Sequence, residues 1–211
     1  MDAFRTITSR AVPLQIDNID TNVITPMNRI LEGGDALVAY AFESLRFDAN
    51  GAPRPDCPLD DPAYAGAKIL VVGANFGCGS SRETAVWAVA GLGYRCLVAP
   101  SFGDIFLSSC FKNGLLPVVL AEGAVAEVAE AARRHEELTV SLDDQTVSLV
   151  DGRRFAFDIA PIRKEALQHG LDDLGLTLRR LDRIAAFEAR DRTLRAWAHL
   201  RGQSEPKPPD S

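Results

Sequence analysis

The sequence predicts an α/β fold: a core of parallel strands flanked by helices, with additional antiparallel strands. Three observations predict it. Lys68-Ile69-Leu70-Val71-Val72-Gly73 is an apolar run without alternation, the pattern of a strand buried on both faces. Similar runs then alternate with helical stretches, a rhythm that implies a parallel core with right-handed crossovers. From Leu138 onward, short strand-like runs are separated by acidic and glycine turns, as in antiparallel hairpins.

The elements follow in order. Ala11-Val-Pro-Leu-Gln-Ile16 adds a strand near the N-terminus. The stretch from Asp48 to Pro62 is crowded with Pro, Asp, Asn and Gly and reads as a long loop. After the Lys68–Gly73 strand come a helix from Glu83 to Leu92 and a strand from Arg95 to Ala99. A helix from Phe102 to Asn113 stops at Gly114, a left-handed terminator. A third strand spans Leu115 to Leu120 and a third helix Ala124 to Arg134. The antiparallel runs are Leu138–Leu142, Thr146–Val150 and Arg154–Phe157, with turns at Asp143-Asp144 and Asp151-Gly152. Helices follow from about Lys164 and from Asp182 to Leu200. Residues 1–200 are expected to form one domain, and 201–211, rich in Pro, Ser and Gly, a disordered tail.

Composition excludes several function classes. Of 211 residues, 46% are hydrophobic and 25% charged, so the chain can bury a core without disulfides or metals. The net charge of -6 disfavours nucleic acid, whose phosphates require clustered Lys and Arg. The C-terminal arginines are interleaved with Asp and Glu, the pattern of a solvated helix face. Cys57, Cys78, Cys96 and Cys110 form no C-x-x-C pair, and His135, His169 and His199 are scattered. No metal site is therefore expected in this chain. The N-terminus lacks a signal-peptide apolar stretch and no apolar run nears ~18 residues, so the expected compartment is the cytoplasm, with reduced thiols.

The chemistry concentrates in Asn75-Phe76-Gly77-Cys78-Gly79-Ser80-Ser81-Arg82, between the first predicted core strand and its helix. Ligands bind parallel sheets at the carboxyl ends of strands. The glycines let the chain turn sharply, Ser80 or Ser81 is expected to cap the helix, and Glu83 falls in its first turn. The free N–H groups and positive dipole of such a helix end attract anions, and Arg82 offers a planar fork to a carboxylate. A P-loop is excluded because no lysine precedes the hydroxyl residues. The spacing Gly77-x-Gly79-x-x-Arg82 resembles a dinucleotide fingerprint but lacks its third glycine, and the next strand ends Val98-Ala99-Pro100 without the ribose-binding acid.

Several long motifs, in order, resemble the small-subunit family of 3-isopropylmalate dehydratases, within the aconitases. They are Asp17-Asn-Ile-Asp-Thr-Asn-Val-Ile-Thr-Pro26, Asn75 to Glu83, Ala99-Pro-Ser-Phe-Gly-Asp-Ile-Phe106, Cys110-Phe-Lys-Asn-Gly-Leu-Leu-Pro117 and Leu171-Asp-Asp-Leu-Gly-Leu-Thr-Leu178. The resemblance runs to about Phe187. It implies a swivelling β/β/α domain and a [4Fe-4S] cluster in a separate large subunit, none being bound by this chain. It implies isomerisation of 2-isopropylmalate to 3-isopropylmalate through an alkene, in leucine biosynthesis, with the cluster iron as the Lewis acid for the departing hydroxide. By the same resemblance Ser80 is the base that removes a carbon-bound proton, and Arg82 contacts substrate and stabilises the serine alkoxide. Gly79, Ser81 and Arg29 are the further candidate substrate contacts.

Three positions depart from the family pattern: Asn22 in place of an Asp, Thr84 in place of a His, and the Met27-Asn28-Arg29 loop. Because that loop helps shape the substrate pocket in relatives, citraconate and 2,3-dimethylmalate hydratases stand as alternatives. A stand-alone carboxylate- or phosphate-binding module without chemistry is the alternative from another class. Trp87 is expected in the core, Cys78 as a small loop residue, and Lys112 and Asn113 as helix-closing residues.

Overall fold

The computed structural model describes residues 1–30 and 35–199; the tail expected at 201–211 lies outside them. The described residues fall into two compact units, one spanning Met1–Asp172 and one beginning at Asp173.

The first unit is built on a seven-stranded sheet. Its strands are β1 (Thr6–Leu14), β2 (Ile69–Val72), β3 (Cys96–Ala99), β4 (Leu116–Val119), β5 (Glu137–Ser141), β6 (Thr146–Ser148) and β7 (Arg154–Ala156). Their order is β4-β3-β2-β1-β5-β6-β7. β1 serves two sub-sheets with its two halves. Ala11–Leu14 pairs parallel with Ile69–Val72, while Thr6–Arg10 pairs antiparallel with Ser141–Glu137. β2, β3 and β4 continue the parallel side, and β5, β6 and β7 form the antiparallel side. The mixed α/β class expected from the apolar runs is the fold observed.

Eight helices of this unit surround the sheet: α1 (Thr21–Ile24), α2 (Met27–Ile30), α3 (Asp35–Ala39), α4 (Glu43–Arg46), α5 (Glu83–Gly91), α6 (Asp104–Lys112), α7 (Glu122–Arg133) and α8 (Pro161–His169). Period-two alternation divides the strand side chains between two cores. Val12, Leu14, Leu70, Val72 and Leu97 pack with α5 and α6 on one face. Ala11, Ile69, Val71, Val98 and Val118 pack with α7 on the other. Every residue of β2 and β3 is buried, which is why their sequences show no polar alternation. Gly114 sits at φ +77 just past α6, the left-handed stop its sequence predicts.

The second unit holds α9 (Asp173–Leu178) and α10 (Leu181–Leu194), followed by a short 3-10 turn at Ala196–Ala198. None of its helical residues is buried, and Leu174, Leu178, Leu181, Phe187 and Leu194 are all exposed apolar side chains. The charge-interleaved face expected here is therefore accompanied by an apolar one.

Phe76 anchors the turn after β2. Its ring meets Phe102 edge-on at 6.4 Å and Phe106 at 5.4 Å between centroids. The next residue, Gly77, has φ +72, and a Cβ there would collide with the Phe106 ring. Gly93 has φ +97 with open space around it. Gly93→Ala is expected to lose about 1–2 kcal/mol of stability from the left-handed backbone alone. Gly77→Ala adds about 1–3 kcal/mol of overpacking to that. Urea denaturation of the two variants checks the difference, and equal losses would refute the Phe106 collision.

Candidate functional site

Three loops leave the carboxyl ends of β1, β2 and β3 and interlock there. The first, Asp17 to Thr25, lies beside the second, Gly73 to Arg82. Ala74 N–H donates to Asp17 Oδ1 (2.7 Å), Asn18 N–H to Ala74 O (2.8 Å), Gly77 N–H to Ile19 O (2.7 Å) and Thr21 N–H to Cys78 O (2.9 Å). The Thr21 hydroxyl donates to Ser80 O (3.0 Å). The third loop, Pro100 to Gly103, closes the other side. Asn75 N–H donates to Ser101 Oγ (2.8 Å), Phe76 N–H to Ser101 O (3.2 Å) and Gly103 N–H to Phe76 O (2.9 Å). The turn is thus held on both flanks by backbone bonds, the arrangement that fixes a site within narrow limits.

On this platform Gly79, Ser80 and Ser81 are exposed, and Arg82 is partly buried. The expected serine cap is not formed. α5 begins at Glu83, and Arg82 occupies the cap position with extended backbone and no side-chain cap bond. The reason is the register of the turn: the helix starts one residue beyond the two serines' reach of its first N–H groups. Neither serine hydroxyl finds a partner among the described residues. Both hydroxyls are therefore available to an anion beside the start of α5, where Ala85 N–H is already bonded to Arg82 O (3.2 Å). Ser81 also lines an open hollow of about 430 Å³ with Glu83, Asp104, Ile105, Ser108, Ser109 and Lys112.

Arg82 reaches back to the first loop. Its Nη1 donates to Asn22 Oδ1 (3.0 Å) and to Thr25 O (3.2 Å). Arg29 is held differently. It donates from Nε and Nη2 to the two oxygens of Glu43 (3.2 and 2.7 Å) and stacks on Tyr40 at 3.7 Å. The Arg29 hydrogen bond holds the Glu43 carboxyl below its usual range. An added carboxylate at Arg29 would therefore meet a guanidinium already engaged by Glu43. Of the candidate residues, Gly79, Ser80, Ser81 and Arg82 lie on one turn, and Arg29 lies on α2, whose first residue Met27 is tied to the same Asn22 (Met27 N–H to Asn22 Oδ1, 3.2 Å).

Trp87 overturns its expectation. It is 48% exposed, and its indole Nε1–H donates to Asn113 Oδ1 (3.0 Å). Asn113 closes α6 as expected, and its Nδ2 also donates to Glu83 Oε1 (3.1 Å) and to Ser109 O (2.9 Å). The indole's polar edge is satisfied at the surface between two helices, which an apolar helix pattern does not reveal. The Thr84 hydroxyl is buried without a partner. Thr21 and Ser101, with the holding of Arg82 by Asn22 and of Trp87 by Asn113, are supports that the motifs did not reveal. The polar run directly after the β1 strand, at the same sheet end as the glycine turn, was the available signal.

Among the described residues, no group of three or more His, Cys, Asp or Glu is placed to hold a metal ion. No helix among them is long and apolar enough to cross a membrane. Cys57, Cys96 and Cys110 are buried, and burial pushes each thiol up; Cys78 is partly exposed beside Asn18 O.

Comparison with known proteins gives concordant likenesses. The aconitase C-terminal domain model matches residues 1–123, and the model for the C-terminal domain of the small subunit of 3-isopropylmalate dehydratase matches residues 173–198. The chain is 48% identical to a 3-isopropylmalate dehydratase small subunit of Rhodospirillum centenum, over 94% of this chain and 99% of that one. It is 46% identical to the corresponding protein of Paramagnetospirillum magneticum, over 93% and 100%. In fold it resembles the crystal structure of a 3-isopropylmalate dehydratase (leuD) from Methanocaldococcus jannaschii, with TM-score 0.63, 23% identity, and 86% and 99% coverage.

The thiols provide a check on the site's geometry. Cys78 is expected to be the first cysteine alkylated in the native chain, because it alone among the four is not buried. Peptide mapping after brief iodoacetamide treatment reads this. Modification of Cys96 or Cys110 before Cys78 would contradict the packing described.

Proposed function

The chain belongs to the 3-isopropylmalate dehydratase small-subunit family of the aconitase superfamily, and from that premise we propose that its Gly79–Arg82 turn binds the hydroxy-dicarboxylate and carries the proton transfer. The reaction is that of a hydro-lyase in leucine biosynthesis: 2-isopropylmalate loses water to an alkene, and water returns to give 3-isopropylmalate. Ser80 is the base and Arg82 the residue that grips a substrate carboxylate and stabilises the serine alkoxide. Gly79 and Ser81 complete the carboxylate cradle at the start of α5, and Arg29 is a further contact.

One observation supports this assignment above the others: an exposed Ser80 hydroxyl at a helix start, two residues from an arginine whose partners carry no charge. A serine hydroxyl is a weak base unless its anion is stabilised, and a helix N-terminus with a guanidinium does that. Ser80 Oγ takes the carbon-bound proton as the alkene forms, and the resulting hydroxyl returns a proton to carbon as water adds back. Ser80 and Ser81 lie open to solvent, and proton abstraction from carbon requires water to be excluded. That need argues for a large subunit that covers this face. In this reading the [4Fe-4S] cluster belongs to the large subunit and supplies a Lewis acid for the departing hydroxide. The complex works in the cytoplasm, where its thiols stay reduced.

Reconstitution tests the function. The isolated chain is expected to be inactive, and the chain assembled with its large subunit to interconvert the two isopropylmalates. Full turnover by the isolated chain would overturn the two-subunit reading. Within the assembled enzyme, Ser80→Ala should lower kcat by roughly 10²–10⁴-fold with KM little changed, because only the base is lost. Arg82→Lys keeps charge without the fork and should raise KM and lower kcat together. Ser81→Ala should be mild, since its backbone N–H remains. Normal kcat in Ser80→Ala with collapse in Ser81→Ala would move the base to Ser81.

Arg29 is tested through its partner. Glu43→Gln removes the charge that engages Arg29 and should lower KM, whereas Arg29→Ala should raise it. Unchanged KM in both variants removes Arg29 from the substrate pocket.

A further inference from the structure

The partners of Arg82 differ in kind from those of Arg29 and Arg46. Arg29 and Arg46, both largely removed from solvent, are clamped by Glu43 and Asp60. Arg82 is held only by a side-chain amide oxygen and a backbone carbonyl among the described residues. The amide oxygen is doubly used. Asn22 Oδ1 accepts from Arg82 Nη1 and from Met27 N–H, so its neighbours are both donors and the oxygen assignment follows from them. Asn22 is itself fixed, because its N–H donates to Asp20 Oδ1 (2.8 Å), the cap of α1.

A neutral acceptor and a carboxylate would orient a guanidinium equally well. They differ in what they leave over. A carboxylate at about 3 Å cancels much of the arginine's field and competes with any anionic ligand, whereas an amide leaves the full charge outward. The same oxygen also ties Arg82 to the first residue of α2, where Arg29 lies.

We infer that Asn22 is the positioning residue of Arg82: a neutral double acceptor that aims the guanidinium, couples it to the Met27–Ile30 segment, and leaves its charge uncancelled for the carboxylate of the substrate. This rests on the function assigned above.

Two measurements separate the inference from that function. In the enzyme assembled with its large subunit, Asn22→Ala should raise the KM for 2-isopropylmalate about tenfold or more, the size of a lost hydrogen bond to a charged group, and lower kcat as well. Asn22→Asp restores an acceptor, so it should recover most of the kcat lost in the alanine variant. Its KM should stay raised, because the new carboxylate competes with substrate for Arg82. An alanine variant with wild-type kcat and KM overturns the proposal, and so does an aspartate variant whose KM returns to the wild-type value. Asn22 is exposed, so alanine there should leave the fold intact. Asn22→Ser, too short to reach Arg82, is the second variant and should behave like alanine. Nitrogen-15 NMR of the isolated full chain gives the independent reading. The Arg82 Nη protons should rotate slowly in wild type and average in Asn22→Ala. Unchanged rotation overturns Asn22 as the anchor even if the enzyme turns over some other substrate. If the wild-type complex leaves isopropylmalate untouched while the NMR difference holds, the functional reading fails and the anchor stands.

Discussion

The backbone bond from Gly77 to Ile19, with the companions on either side of it, is the constraint on which the site depends. β1 and β2 run parallel, so their loops emerge at the same end of the sheet and could diverge. Instead, each loop satisfies the other's orphaned N–H and C=O groups. Buried or half-buried backbone polar groups must find partners, and here the partners are the neighbouring loop rather than a helix or a strand. The exposed serines can therefore sit on an irregular segment without being loosely held. Removing the Thr21 or Asp17 contacts would free the turn even though neither residue belongs to it.

Charge is distributed unevenly across this end of the molecule. Arg29 is paired, stacked and partly shielded, and its pair with Glu43 is close enough to the surface to contribute little to stability. Among the described residues Arg82 has only uncharged partners. The two arginines lie on segments joined through a single amide oxygen, so a ligand that draws on one has a physical route to the other. The open hollow beside Ser81 carries Glu83 and Asp104 together with Lys112, so its lining is of mixed charge.

The parallel core was legible because β2 and β3 are buried on both faces and carry no polar alternation. The glycine turn was legible because its residue types serve few other purposes. What sequence reading missed were features decided by tertiary register. The N-terminal strand was expected over Ala11–Ile16, but it begins at Thr6, because its polar first half pairs with β5 and its apolar second half with β2. Ser80 and Ser81 look like caps, yet the interlock with Cys78 and Ser80 carbonyls sets the helix start past them. Trp87 looks like core, yet Asn113, distant in sequence, holds its N–H at the surface. Local pattern does not encode partners that lie tens of residues away.

That separation has a consequence for how the protein comes into being. The contacts that join the first two loops close intervals of 56 to 60 residues, and no shorter stretch of chain contains both halves. Closing such intervals costs entropy before any contact repays it, and parallel pairing must wait for the crossover between the strands. While the chain is being synthesised, the Asp17–Thr25 segment emerges from the ribosome long before its partner and has nothing to fold against. The glycine turn therefore cannot take its native form on a partly folded intermediate. It appears only with the native topology, so its formation is a late and selective report that the whole parallel sheet has closed.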